Sequence, residues 1–327
     1  MKRRLLFVVN VDWYFLSHRL PIALAARQHG YEVHVATGLT APASAIADHG
    51  FVVHPLQLER GSSDPFEAVR LLRELHRLFR ALQPDLVHLV TIKPVLLGGI
   101  AARLARVPAV VAAVPGLGYV FSARGVVARA RRMIVSQLYR RVFGHPNLRV
   151  IVQNRDDLEL LRQNAGLDPE RASLIRGSGV DLSVFVPVAQ APGAPLVLLA
   201  ARLLADKGVR EFAVAARRLR AYRGARFVLA GDPDIANPAS IPQAELQAWL
   251  AEGFLEWWGY RADMPAVLAA ASIVVLPSYR EGLPKLLAEA AACGRAVITT
   301  DVPGCRDAVV AGQTALLVPP RDADALA

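Results

Sequence analysis

Residues 272–294 read SIVVLPSYREGLPKLLAEAAACG. The run SIVVLPS is apolar between its two serines and rich in β-branched residues, which is typical of a strand buried on both faces. Pro284 suits the first turn of a helix, and helical spacing covers 283–293. The stretch therefore predicts one strand–loop–helix unit of a parallel sheet, with its loop at the carboxyl end of the strand.

The same alternation of apolar strands and helical segments runs through the chain. It favours parallel sheets that are covered by helices on both faces. Strands are predicted at 4–10, 31–37, 51–56, 85–91, 109–115 and 149–154, and again at 195–202, 225–232, 255–260, 272–278, 296–301 and 315–320. Helices are predicted at 18–29 (with Ser17 as N-cap), 65–82, 95–105 and 123–142, and again at 207–222, 242–252, 263–271 and 283–293.

The strand series restarts after a segment at 186–195 that is rich in Pro, Ala and Gly. Such a composition is typical of a linker. We therefore predict an α/β chain of two Rossmann-like domains, 1–188 and 189–327, with parallel sheets facing across a cleft. The last residues read as a turn and the start of a helix, so we expect the second domain to be truncated or to lack its closing helices.

Composition narrows the class of protein. The chain has 327 residues, is 54% hydrophobic and 20% charged, and contains two cysteines, Cys293 and Cys305. These numbers indicate globular domains without a disulfide framework, and a reducing compartment such as the cytoplasm. No signal-peptide pattern follows the basic N-terminus, and the apolar stretch 107–121 is too short to span a bilayer, so we expect no membrane crossing.

The formal net charge of +10 is compatible with several anionic partners, or with solvated arginines. Nucleic acid is disfavoured, because no known binding module is present and only 7% of the residues are aromatic.

Segment 122–145 is basic and amphipathic. It fits a helix resting on an anionic membrane and equally an ordinary packed helix with a basic outer face. Its arginines are Arg124, Arg129, Arg131, Arg132, Arg140 and Arg141.

Two acids flank the start of the helix that ends the opening stretch. Glu281 lies in the loop, where Gly282 allows a ligand to approach and free N–H groups favour an anion. Glu289 lies seven residues beyond Gly282, on the same helix face. These carboxylates suit the hydroxyls of a sugar and a ribose. Alternatively, Glu281 stabilises the helix N-terminus by its charge and Glu289 is solvated.

Two cations follow the neighbouring strand at 195–202. Arg202 ends that strand, and Lys207 precedes the next helix, so both are expected at the same sheet edge as Glu281. Two fixed cations suit a diphosphate, although both residues also fit an ordinary surface. The acids Asp232 and Asp234 are interpreted as part of a turn, and no metal site is predicted.

These motifs together resemble one family. The E-x7-E spacing, the R-x4-K-G segment, LAGD (229–232) and WWGYRADMPAVLAAASIVVLPS (257–278) are similar to those of the retaining glycosyltransferases of family 4, which have the GT-B fold. Three segments of the first domain resemble the bacterial branch that builds O-antigens, capsules and lipid-linked oligosaccharides: SHRLPIALAARQHGYEVHVAT, TIKPVLLGGIAAR and VPGLGYVF.

The resemblance implies transfer of a hexose or N-acetylhexosamine from a UDP-sugar to a polyprenyl-diphosphate-linked saccharide. It also implies no metal, and a peripheral location on the inner face of the plasma membrane. A UDP-sugar epimerase of the same fold and a non-catalytic sugar-nucleotide-binding protein remain alternatives.

The resemblance also implies roles for particular residues. Glu289 would bind the ribose, Glu281 the donor sugar, and Arg202 with Lys207 the diphosphate and departing nucleotide. The backbone near Arg261 would read the uracil. Front-face attack, with the donor phosphate accepting the acceptor's proton, would require no pair of catalytic carboxylates. The remaining nucleotide-site candidates are Gly231, Gly282, Leu283 and Pro284.

The first domain is expected to face the acceptor. Val11-Asp12 stands where many relatives have a glycine pair, and Val114-Pro115-Gly116 stands where some have a histidine, so no catalytic histidine is assigned. His18 and Lys93 are equally compatible with ordinary surface positions. The acceptor-side candidates are Asp12, His18, Arg19, Lys93, Gly116 and Gly118.

Overall fold

A computed structural model of the chain describes residues 2–58, 64–117, 125–190, 192–221, 224–235 and 237–327. The chain divides into two compact units, Met1–Ser178 and Gly179–Ala327. The division falls earlier in the chain than the boundary predicted after residue 188. Each unit contains its own parallel sheet, so the sequence-based prediction of two parallel-sheet α/β domains is confirmed.

Unit one contains a seven-stranded sheet in the order β3-β2-β1-β4-β5-β6-β7, and all its strand pairs are parallel. The chain moves outward from β1 in one direction and from β4 in the other. The short edge strand β7 was not predicted. The strands are β1 (Arg4–Val11), β2 (Glu32–Gly38), β3 (Val52–Pro55), β4 (Leu86–Val90), β5 (Ala109–Val114), β6 (Leu148–Val152) and β7 (Ala172–Leu174).

Helices cover both faces of this sheet. Leu6 and Val8 of β1 pack in one core, while Phe7 and Val9 pack in a second core on the opposite face. This division follows from the alternation of side chains along a strand. The helices of unit one are α1 (Asp12–His18), α2 (Leu20–Gln28), α3 (Ser44–Ala47), α4 (Pro65–Leu82), α5 (Gly99–Ala105), α6 (Val126–Phe143) and α7 (Arg155–Ala165); a π-helical turn (Pro94–Gly98) precedes α5.

The beginning of the first helix differs from the prediction. Helix α1 starts at Asp12, directly after β1, and Arg19 separates it from α2. Ser17 therefore lies inside α1 and is not the N-cap of a helix over 18–29. The buried side chain of Phe15 explains the early start, because it packs edge-on against Phe7 of β1.

Unit two contains a six-stranded parallel sheet in the order β10-β9-β8-β11-β12-β13. Its strands are β8 (Leu196–Ala200), β9 (Arg226–Ala230), β10 (Glu256–Trp257), β11 (Ile273–Leu276), β12 (Ala296–Thr300) and β13 (Ala315–Val318). Its helices are α8 (Val209–Arg218), α9 (Gln243–Ala251), α10 (Met264–Ala270), α11 (Lys285–Ala292) and α12 (Ala323–Leu326).

Both sheets contain a position where the strand order reverses. In unit one it lies between β1 and β4, and in unit two between β8 and β11. The connections on the two sides of such a position leave in opposite directions, which opens a crevice at the carboxyl ends of the strands. The topology therefore identifies two sheet edges at which ligands are expected.

Candidate functional site

The reversal in unit two brings together the loops that follow β8 and β11. These strands are direct neighbours, with Leu198 opposite Val274. Lys207 ends the 3-10 turn after β8, and Glu281 lies in the loop after β11. The two residues were predicted from separate motifs to share one sheet edge, and the structure brings their side chains into contact.

Lys207 and Glu281 form an ion pair. The ammonium of Lys207 donates to Oε1 of Glu281, and Ser278 Oγ donates to the same oxygen at 2.7 Å. The side chains of Lys207 and Glu281 are only 21% and 13% exposed, and Ser278 is fully buried. A pair that is largely withdrawn from water is screened less than a surface pair, so its geometry is held firmly. A ligand that binds here meets a preformed cation and a preformed carboxylate.

Close contacts between backbones hold the Glu281 loop in place. Gly304 has a φ of +82°, and a Cβ added there would lie 2.5 Å from the carbonyl oxygens of both Glu281 and Gly282. The N–H of Glu281 donates to the carbonyl of Pro303 at 3.3 Å. Gly208 lies in the same way against the carbonyl of Pro277. Glycine at these positions allows separate loops to touch through their main chains.

Tyr279 connects the two loops directly. Its N–H donates to the carbonyl of Asp206 at 2.9 Å, and its hydroxyl donates to Oε1 of Glu211 at 2.6 Å. Burial and the bond to Glu211 raise the pKa of the Tyr279 hydroxyl, so it remains a donor at physiological pH. The guanidinium of Arg321 lies 4.5 Å from the centre of the ring. Tyr279 therefore fixes the turn of Lys207 relative to the loop of Glu281.

Glu289 lies on α11 and is buried, with 6% of the residue exposed. The interpretation of Glu289 as a solvated helix charge is therefore wrong. Lys285, one turn earlier, places its ammonium 3.0 Å from Oε1. Burial raises the pKa of Glu289, and Lys285 opposes that rise. Between Glu281 and α11, Gly282 and Pro284 are buried and Leu283 is half-buried, with Pro284 as the N-cap.

Arg202 also follows β8, and its Nη1 donates to Oδ2 of Asp234 at 2.6 Å. The acid-x-acid turn at 232–234 thus supplies a partner for Arg202. Within the described ranges, no group of three His, Cys, Asp or Glu residues has the arrangement of a metal site. Arg202, like Lys207, has a carboxylate partner within unit two.

Gly231 joins three loops. Its N–H donates to the carbonyl of Gly259 at 2.7 Å, its carbonyl accepts from Trp257 Nε1 at 2.7 Å, and a Cβ would collide with Ala201.

Arg261 forms a bidentate ion pair with Asp263, with distances of 2.8 and 2.6 Å. The side chain of Arg261 is therefore occupied. The sequence predicts that the backbone near Arg261, and not its side chain, contacts the uracil, and this role stays a prediction.

Asp12 is buried at the start of α1, and its carboxylate joins the loops after β1 and β2. It accepts from the Thr40 N–H and hydroxyl and from the N–H groups of Ala41 and Trp13, at 2.7–2.8 Å. Burial raises the pKa of Asp12, but these bonds outweigh burial and hold the pKa below its usual value. The carboxylate is thus engaged within the fold.

The other acceptor-side candidates that the structure describes occupy the same sheet edge or adjoining segments. The ring of His18 stacks on Tyr14, with centroids 4.1 Å apart. Arg19 is buried between α1 and α2. Lys93 immediately precedes the π-helical turn after β4, Gly116 follows β5 and is half-buried, and Gly118 lies outside the described residues.

Sequence reasoning did not single out Ser278, Tyr279 or Gly304. Ser278 and Tyr279 belong to the quoted opening stretch, three and two residues before Glu281. Their spacing places them in the same loop, which was an available signal. Gly304 offered none, because the contact it permits joins segments that only the folded chain brings together.

Two family models match the chain. The model "Glycosyl transferases group 1" matches residues 194–327, and the model "Glycosyl transferase 4-like" matches residues 4–143. The chain is 31% identical over 316 residues to the N,N'-diacetylbacillosaminyl-diphospho-undecaprenol alpha-1,3-N-acetylgalactosaminyltransferase of Campylobacter jejuni, covering 90% of this chain and 82% of that protein. It is 28% identical to the UDP-Gal:alpha-D-GlcNAc-diphosphoundecaprenol alpha-1,3-galactosyltransferase of Escherichia coli, covering 72% of this chain and 62% of that protein.

Solved structures share the fold. HepE of Anabaena, solved with UDP and glucose, has a TM-score of 0.76 at 18% identity, covering all of this chain and 88% of that one. The sucrose-phosphate synthase of Thermosynechococcus elongatus has a TM-score of 0.77 at 22% identity, covering 99% and 88%. The chain therefore belongs to the group 1 and 4-like glycosyltransferases. It is a glycosyltransferase with the GT-B fold, which confirms the family and the fold expected from the motifs.

Proposed function

We propose that this glycosyltransferase transfers a hexose or N-acetylhexosamine from a UDP-sugar to a polyprenyl-diphosphate-linked saccharide, with retention of anomeric configuration. The observation that carries the proposal is the Lys207–Glu281–Ser278 cluster at the strand-order reversal of unit two. The names of the relatives from Campylobacter and E. coli support the acceptor class, since both describe diphospho-undecaprenol-linked saccharides.

The donor's diphosphate is assigned to Lys207 and Arg202. Each cation has a carboxylate partner within the chain, Glu281 and Asp234 respectively. A diphosphate offers these cations stronger acceptors, so we expect binding to exchange carboxylate contacts for phosphate contacts. Two protein cations then perform the charge neutralisation that a metal ion supplies in other enzymes, and we propose that no metal is needed.

Glu281 is assigned to a hydroxyl of the donor sugar and Glu289 to the ribose. Ser278 and Lys207 fix the Oε1 atom of Glu281, which leaves a carboxylate of defined orientation in the loop. Burial beside Lys285 keeps Glu289 in place on α11. Two carboxylates on separate elements suit two different diols. The roles are thus divided between the sugar that is transferred and the nucleotide that departs.

Retention is proposed to proceed by attack on the same face from which UDP departs. The bond between the anomeric carbon and the phosphate oxygen breaks, and Lys207 and Arg202 stabilise the negative charge that develops on the leaving diphosphate. The acceptor hydroxyl forms the new bond and passes its proton to the departing phosphate oxygen. Glu281, still held by the hydroxyl of Ser278, positions the sugar and takes no proton in this scheme.

The site of action is proposed to be the inner surface of the plasma membrane. Among the described residues, no helix is both long and apolar enough to cross a bilayer. Helix α6 carries five arginines and no acid, and its first residues, Val126 and Val127, are 82% and 83% exposed. Exposed apolar side chains followed by arginines fit the headgroup region of an anionic bilayer. Arg124 lies outside the described residues.

The test is a transfer assay with purified protein. A panel of UDP-sugars is incubated with a short-chain polyprenyl-diphosphate saccharide, and both UDP release and the anomeric configuration of the lipid product are measured. UDP release that depends on the acceptor, with an α-linked product from an α-linked donor, supports the proposal. Recovery of an epimerised UDP-sugar without acceptor, or donor binding without any turnover, would sink it in favour of the two alternatives.

A further inference from the structure

The strand-order reversal of unit one contains a buried cation that has no counter-ion among the described residues. Arg19, between α1 and α2, is only 4% exposed. Its Nη1 donates to the carbonyl of His18 at 2.9 Å and to Oγ of Ser178 at 3.3 Å, and its Nε has no partner among the described residues. Both acceptors are neutral. The guanidinium is therefore withdrawn from water, and no described residue neutralises its positive charge.

No carboxylate in the described part of unit one compensates this charge. Asp12, the acid nearest to Arg19 in sequence, gives its oxygens to Thr40, Ala41 and Trp13. Burial lowers the pKa of Arg19. A buried cation is costly unless it is paired, so its retention at a ligand-binding edge indicates that the partner arrives from outside.

His88 lies beside Arg19 and adds a neutral polar group to the same place. It is 7% exposed on β4, and its ring stacks on Phe7 at 5.1 Å. Burial, aided by the charge of Arg19, lowers the pKa of His88 to about 3. The imidazole is therefore uncharged at physiological pH, and its Nε2 has no partner among the described residues.

The ends of the two central strands contribute further unused polar atoms. Asn10 follows Val9 of β1, and Thr91 follows Val90 of β4; Val9 and Val90 lie opposite each other in the sheet. The Oδ1 atom of Asn10 and the Oγ1 atom of Thr91 are buried without a partner among the described residues. Buried polar atoms are nearly always satisfied, so several unsatisfied atoms at one sheet edge are unusual.

We propose that Arg19 is the charge partner of a phosphoryl group that binds at the β1/β4 edge of unit one. A phosphate carries the negative charge that the fold does not supply, and its oxygens accept from the guanidinium. The hydroxyl of Thr91 is a second donor at that edge. We assign the phosphoryl group to the diphosphate of the lipid-linked acceptor, an assignment that rests on the proposed function. The donor's diphosphate already has cations in unit two.

The first experiment measures binding without turnover. Inorganic diphosphate is titrated calorimetrically into full-length protein carrying Lys207→Ala and Arg202→Ala, which removes the donor-side cations. Adding Arg19→Gln is expected to weaken the remaining binding roughly 10- to 100-fold, the effect of one charged hydrogen-bonding group. Arg80→Gln, an exposed arginine of α4, is the matched control and is expected to change nothing. Equal binding with and without Arg19 would overturn the site.

The second experiment identifies the source of the phosphate. In the otherwise native chain, Arg19→Gln is expected to raise KM for the polyprenyl-diphosphate acceptor and to leave KM for the UDP-sugar unchanged. The reverse pattern would overturn the assignment to the acceptor. If Arg19→Gln does not fold, Arg19→Lys, which retains the charge but loses the planar fork, is expected to give the same pattern more weakly. If Arg19→Gln abolishes diphosphate binding but the native chain transfers no sugar, the phosphate site stands and the proposed function is refuted.

Discussion

Lys207 forms an ion pair with Glu281, 74 residues later in the chain, inside the crevice that β8 and β11 create. The same carboxylate oxygen accepts from Ser278, so one atom joins three side chains. A buried carboxylate that loses its cation keeps the cost of desolvation without the compensating attraction. The pair is therefore expected to behave as a unit, in stability and in catalysis.

Replacement of Lys207 by alanine is expected to lower kcat for sugar transfer by about 100-fold or more, because it removes a charge that stabilises the leaving diphosphate. Glu281→Gln should give a loss of similar order, since it weakens the ion pair and the contact with the sugar. The double variant should lose much less than the product of the two single effects. Steady-state kinetics on all four proteins measures this coupling.

A surface ion pair provides the control. Arg226 and Glu256 form a bidentate pair on β9 and β10, and both side chains are more than 40% exposed. The same cycle of variants at this pair should change kcat by less than about 2-fold and should show little coupling. Equal coupling at both pairs would mean that the Lys207–Glu281 contact has no special role.

Gly304→Ala is expected to destabilise the chain by about 2–4 kcal/mol and to impair donor binding, because the new Cβ would meet the carbonyls of Glu281 and Gly282. Gly312 offers a matched comparison. Its φ is +73° and no atom lies within 4 Å of a Cβ added there. Gly312→Ala should therefore lower the free energy of unfolding only by the cost of holding an alanine at a positive φ, about 1 kcal/mol. Urea unfolding and UDP titration of both variants separate the steric effect from the conformational one.

The sequence predicts those parts of the fold and site that local pattern determines. Of the described strands, β1–β6 and β8–β13 lie in apolar runs and are recognised from them, whereas β7 has three residues at a sheet edge and carries no such run. Because Lys207 and Glu281 each follow the carboxyl end of a predicted parallel strand, the sequence also predicts that they lie at the same edge of the sheet. The contact between Gly304 and Glu281, and the early start of α1 at Asp12, depend on tertiary packing. No local pattern encodes either of them.

His88→Asn should flatten the acid side of the stability profile. His88 binds a proton more weakly in the folded chain, with a pKa of about 3, than in the unfolded chain, where the pKa is 6.5. The unfolded state therefore binds more protons between these values. Native stability from this group is fully present above pH 6.5 and declines as the pH falls toward 3, by up to about 1.4 kcal/mol per pH unit.

The measurement is the free energy of unfolding in urea at half-unit steps from pH 7.5 to pH 4.5. Native protein and His88→Asn are compared by their slopes, because the substitution also changes packing against Phe7. A His88→Asn profile as steep as that of the native chain would contradict the burial of a neutral imidazole.

Val126→Ser combined with Val127→Ser should weaken binding to anionic vesicles several-fold, because each valine loses apolar area that the headgroup region would bury. The measurement is co-sedimentation with vesicles of phosphatidylglycerol and phosphatidylethanolamine at low and physiological salt. Salt should weaken binding of the native chain as well, since the arginines of α6 supply the electrostatic part. Ile235→Ser, at a 97% exposed position in unit two, is the control and should bind as the native chain does. If the valine variant binds as tightly as the Ile235 variant, α6 is an ordinary packed helix with a basic outer face.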